Sequence, residues 1–153
     1  MIELLLIFRA IHVLGFVLGI AFSFTLLTYF IIFREKTNRS RLIMTLAYIT
    51  ILQIVANIAS AISGISRLIF NSTVISGGEL NLFELKMFFF ALSIGTVFFL
   101  LVWWRRLLVT TRRLVTYAGS LTSKQIGVSL ILLLLNVSFL SFVFILGGFF
   151  SIL

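Results

Sequence analysis

The chain is predicted to be an all-α integral membrane protein, a bundle of four transmembrane helices with both termini on the outer side. Three observations lead there. Four long apolar stretches fill most of the 153 residues, hydrophobic residues make up 61% of them, and the cations gather in alternate connections. An ordinary globular domain is about 45–50% apolar, so a water-soluble fold could not hide this much apolar surface.

The stretches run over approximately 2–33, 42–66, 85–104 and 125–153. Crossing the roughly 30 Å hydrocarbon core takes about 20 helical residues, so each spans once and together they form a single domain over 1–153. In lipid only helices or closed barrels satisfy the backbone. Uninterrupted apolar runs without period-2 alternation select helices, and with no proline in the chain none is expected to kink at one.

The first span lacks a positive n-region and a small-residue cleavage site, and it ends in Arg34-Glu35-Lys36. It is therefore expected to be retained rather than removed as a signal peptide. Within it Gly15 and Gly19 form a small-xxx-small pair extended by Ser23, a pattern that packs helices closely. His12 shares that face, with Arg9 one turn earlier.

The second span places Thr50, Gln53, Asn57, Ser60, Gly64 and Arg67 at helical spacing, a continuous polar stripe that must look inward. The third is entered through Glu84, Lys86 and Met87 and carries Ser93 and Thr96. It ends at Trp103-Trp104-Arg105-Arg106, read as an aromatic belt meeting headgroups, with a helix continuing over 105–117 at the interface. The fourth holds Ser129, Asn136, Ser138, Ser141 and Gly147-Gly148 but nothing ionisable after Lys124, and reads as a packing helix. Between the second and third, Asn71 to Glu79 reads as a turn-rich loop, with a formal glycosylation sequon at Asn71-Ser72-Thr73.

Nine of the twelve cations flank the first and third connections. By the positive-inside rule these face the cytoplasm. The net charge of +8 then points to anionic lipids, at Arg105, Arg106, Arg112 and Arg113, rather than to nucleic acid. Absence of cysteine excludes disulfides, iron–sulfur clusters and thiol catalysis. A single histidine and no buried carboxylate pair exclude serine-type and metal hydrolases.

Antiparallel threading brings Arg9, His12, Asn57, Arg67, Glu84 and Lys86 toward the outer half. That group is cationic, and an anion such as a propionate or phosphate would complete it. An ionisable residue at membrane depth is a functional candidate by default. The run Arg9-Ala10-Ile11-His12-Val13-Leu14-Gly15, with Lys86-Met87-Phe88-Phe89-Phe90 later, resembles the small four-helix membrane proteins around the copper-resistance CopD domain and the HemJ-type protoporphyrinogen oxidases. The likeness covers roughly 8–34 and 84–106. It implies haem b or a porphyrin near His12 and Lys86.

A low-spin b-type haem takes two axial ligands from His or Met. His12 would be one, with Met87 or Lys86 as the second, or two His12 from a homodimer; Arg9, Arg67 or Lys86 would pair propionates and Asn57 orient the site. The sequence thus supports two classes of function. One is a non-catalytic accessory or assembly subunit, in a homo-oligomer or larger membrane complex, without a cofactor. The other is a haem-dependent membrane oxidoreductase. Transport of a small solute or anion is a lesser third, and catalytic residues are not identified. The expected location is the cytoplasmic (inner) membrane or an organelle inner membrane.

Overall fold

The computed structural model describes the backbone of residues 2–70, 77–113 and 121–152. Four α-helices make up nearly all of it: α1 (Ile2–Phe33), α2 (Arg39–Phe70), α3 (Gly77–Arg113) and α4 (Ser123–Ile152). At 1.5 Å per residue they are about 45–55 Å long, longer than the roughly 30 Å hydrocarbon core of a bilayer. All four contain a segment long and apolar enough to cross a membrane.

Local signals account for the boundaries. α1 runs out into the turn at 34–36, where Lys36 N and Thr37 N bond back to Phe33 O at 3.2 and 3.1 Å. Asn38 then caps α2: its Oδ1 accepts from Ser40 N at 2.9 Å and its carbonyl from Leu42 N at 2.9 Å. α4 begins with a reciprocal capping box. Gln125 N donates to Thr122 Oγ1 at 3.3 Å while Thr122 N donates to Gln125 Oε1 at 3.1 Å.

Two expectations change. The loop read over 71–79 is shorter, because Gly77, Gly78 and Glu79 already belong to α3; Asn71-Ser72-Thr73 lies outside the described residues. The helix past Arg105 continues to Arg113, and residues 114–117 lie outside the description.

Consecutive helices are antiparallel neighbours, and α4 returns to pack on α1. α1 and α3 therefore face each other across a diagonal. The interior is polar in its middle and apolar above and below. One apolar cluster, including Leu26, Phe30, Leu46, Leu100, Trp104 and Leu133, lies toward the α1–α2 turn; another, around Phe90, Leu140 and Val143, lies toward the opposite end. Outward faces carry Val55, Phe99, Val102 and Ile131, with Phe99 70% exposed. Apolar outside and polar within is the reverse of a water-soluble bundle.

Of the tryptophan pair read as a belt, Trp104 turns into the core and Trp103 is half-buried beside it. Trp104 is fully buried and its Nε1 donates to Thr50 Oγ1 at 3.2 Å, while Trp103 Nε1 donates to Ser129 Oγ at 3.0 Å. Each indole N–H thereby escapes lipid. The pair ties α3 to α2 on one side and to α4 on the other.

The α1–α2 contact depends on glycine. A β-carbon at Gly15 would lie 2.8 Å from Ala56 O and 3.0 Å from Ser60 N, both main-chain atoms that cannot swing aside. Around Gly95 on α3 nothing lies within 4 Å of such a carbon. Gly15→Ala should therefore destabilise the protein by about 1–3 kcal/mol through overpacking. Gly95→Ala should raise stability, by up to about 1 kcal/mol of helix propensity. Thermal unfolding in detergent checks both, and equal shifts would refute the close contact.

Candidate functional site

The inward faces repeat at steps of three and four. On α3 they run Phe90, Ser93, Val97, Leu100, Trp104; on α4, Ser129, Leu133, Asn136, Leu140, Val143, all buried. This register brings one polar side chain from each helix to a single layer: Ser23, Gln53, Ser93 and Asn136, none more than 1% exposed.

Gln53 and Asn136 form a reciprocal amide pair across the bundle. Gln53 Nε2 donates to Asn136 Oδ1 and Asn136 Nδ2 to Gln53 Oε1, each at 3.2 Å. Their second N–H groups both reach Ser23 Oγ, at 2.6 and 3.3 Å, and Ser23 passes its own hydrogen to Gly19 O at 3.0 Å. Ser93 Oγ donates to Asn136 Oδ1 at 3.5 Å. Every amide hydrogen in this layer has an acceptor. None of its members titrates near neutral pH, so the layer carries no charge of its own. What it does is fix the rotation of all four helices about their axes.

Nearer the α1 N-terminus, His12 is partly buried against α2. Its Nδ1 lies 2.7 Å from Ser60 O, and Ser60 Oγ donates to His12 O at 3.2 Å. A carbonyl only accepts, so Nδ1 carries the hydrogen and Nε2 is the nitrogen left for another contact. Gly64 provides room for the ring, since a β-carbon there would stand 3.0 Å from Cε1 and Nδ1. Ser63, also buried, bonds along its own helix to Ala59 O at 2.7 Å.

Between these two levels Asn57 is 1% exposed, and neither Oδ1 nor Nδ2 has a hydrogen-bond partner. Its Oδ1 fills the place a β-carbon on Gly19 would take. Asn57 also lines a shallow crevice between α2 and α3, with Ile54, Ile58, Ile94, Val97 and Phe98, too tight to admit a water molecule. Ligand pockets generally run to about 300–1,000 Å³.

The remaining residues expected near a cofactor spread around the bundle. Arg9 is exposed, and Met87 is 40% exposed on the outside of α3. Lys86 is partly buried and has an interaction partner of its own. Arg67 falls within α2, but its side chain lies outside the described residues, as do those of Arg112 and Arg113. Because α1 and α3 are diagonal, sharing a depth does not make His12 a neighbour of Lys86 or Met87. Among the described residues no three His, Cys, Asp or Glu side chains group as a metal site, and His12 on α1 stands on a helix that makes no direct contact with α3, which carries Lys86 and Met87.

The roles of Trp103 and Trp104 were missed in the sequence, although the signal was present. Stepping by three or four from Ser93 through Val97 and Leu100 lands on Trp104, on the inner face.

Gln53→Leu should remove the reciprocal partner of Asn136 and one of the two donors to Ser23 and lower stability by about 1–2 kcal/mol, given membrane hydrogen bonds averaging about 0.6 and reaching about 1.7 kcal/mol. Asn57→Leu removes an amide without partners, and should leave stability unchanged or raise it. Thermal unfolding in one detergent compares the two. A loss at Asn57 as large as that at Gln53 would show that its amide is engaged.

Comparison with family models, with curated proteins and with solved structures gives no match.

Proposed function

We propose that the chain is an integral protein of a cytoplasmic or organelle inner membrane, serving as a non-catalytic accessory or assembly subunit of a larger complex. The observation that carries this reading is the closed hydrogen bonding of the central layer, where amides and hydroxyls satisfy one another and offer no convergent donor set to a substrate. His12 fits the same pattern, bonding the α2 main chain as a helix-joining residue would. The helices are continuous, with no positive-φ residue among the described ones, which disfavours the broken helices of a transporter.

The distribution of the cations supports an orientation with the 34–41 connection on the cytoplasmic side and both termini outside. With no native cysteine, single cysteines report topology directly. One replacing Glu84 should label with an impermeant thiol reagent in intact cells, and one replacing Lys36 should label only after lysis. The opposite result inverts the orientation.

A haem-dependent redox protein is the second reading, resting on the resemblance to the CopD and HemJ-type proteins and on one observation. Metal-bound histidines commonly donate their other ring nitrogen to a carbonyl, and His12 Nδ1 does so to Ser60 O. With Lys86 and Met87 on a helix diagonal to α1, His12 from two copies is the ligand pair this reading favours. Purification in mild detergent separates the classes. The accessory reading expects an assembly larger than the 17.3 kDa chain without a Soret band. A Soret band lost in His12→Ala and retained in Gln125→Ala would establish the second reading and overturn the first.

A further inference from the structure

The end of the bundle formed by the α1–α2 turn is strongly cationic. Arg34, Lys36, Arg39 and Arg41 come from one short stretch, with Arg105 and Arg106 on α3 and Lys124 on α4. At 1.5 Å per residue, Arg34 and Arg105 lie on the order of 15–20 Å along their helices from the central polar layer, the depth at which hydrocarbon gives way to headgroups.

Two of these arginines differ from the rest. Arg39 is partly buried, and its Nε and Nη2 are enclosed without a hydrogen-bond partner; Arg34 Nε is likewise buried. The one carboxylate described beside them, Glu35, approaches Arg34 Nε at 3.4 Å but is 77% exposed, so solvent screens it. Arg41, two residues beyond Arg39, is exposed. Guanidinium hydrogens withdrawn from solvent require acceptors, because a buried charged donor left without one is expensive. A phosphate meets the need, offering several acceptor oxygens to a planar fork.

We propose that the α1–α2 turn holds the phosphate of one anionic phospholipid, with Arg39 as principal donor and Arg34 beside it. The inference rests on this end lying at headgroup level. It goes beyond general attraction of the basic face to an anionic leaflet, because it assigns the lipid to two arginines with enclosed N–H groups rather than to the charge as a whole.

The test uses the full chain in detergent, with phosphatidylglycerol, phosphatidylcholine and inorganic phosphate as probes and native mass spectrometry as the readout. Wild type should retain one phosphatidylglycerol in preference to phosphatidylcholine, and millimolar inorganic phosphate should not displace it. Arg39→Gln should weaken retention about tenfold or more, as loss of a charge-assisted hydrogen bond implies, while Arg41→Gln, which removes the same charge, should change it less than about threefold. If Arg39→Gln fails to fold, Arg39→Lys keeps the charge without the fork and should still weaken retention more than Arg41→Gln does. Equal effects at positions 39 and 41 would overturn the site in favour of diffuse attraction, as would equal retention of the two lipids. Displacement by inorganic phosphate would overturn the lipid assignment. Flotation with vesicles separates the premises: a chain that does not float refutes the membrane reading, whereas one that floats without selectivity refutes only the site.

Discussion

The reciprocal pair between Gln53 and Asn136 is the constraint on which the rest of the bundle depends. Two amides withdrawn from water can satisfy each other only when both face the centre at the same depth, and Ser23 takes the remaining hydrogen from each. Turning any of these helices by one residue, about 100°, would carry an amide toward lipid. Apolar packing alone would not prevent that, since lipid tails solvate leucine as well as a neighbouring helix does. The layer therefore supplies rotational specificity that Leu26, Leu100, Leu133 and Leu140 cannot.

The glycine contact works with this constraint by setting distance. Gly15 admits the α2 backbone at Ala56, and Gly19 leaves room for the Asn57 side chain. With α1 and α2 drawn together, Ser23 Oγ comes within 2.6 Å of Gln53 Nε2. The tryptophans perform a comparable service on the other side, where Trp103 and Trp104 lock α3 to α4 and α2 through hydroxyls. Close approach in one half and indole bonds in the other hold the central amides in register.

Much of this was legible in the sequence, and what was not has a common cause. Helix number and approximate spans follow from hydropathy, and the inward stripe of α2 follows from its three-and-four spacing, which leaves Thr50, Gln53, Asn57 and Ser60 all buried. Depth along a helix is likewise readable, since it is a count of residues. Direction around the bundle is not. Trp103 and Trp104 precede a basic pair as belt residues do, yet both indoles bond to neighbouring helices, and His12, Lys86 and Met87 share an end of the bundle while α1 and α3 occupy opposite corners. Asn136 shows the same limit, because a lone amide among leucines looks alike in sequence whether or not another helix carries its partner.

The short turn between α1 and α2 has a consequence for biogenesis. The first two helices contain mutual contacts of their own: Gly15 against Ala56, His12 against Ser60, and Gln53 donating to Ser23. These contacts need nothing from α3 or α4. The second hairpin differs, since Asn136 finds its strongest acceptors and donors on α1 and α2 rather than on α3. Order of synthesis thus matches the order in which these bonds can be made, since Asn136 has its partners to meet only once α1 and α2 are present.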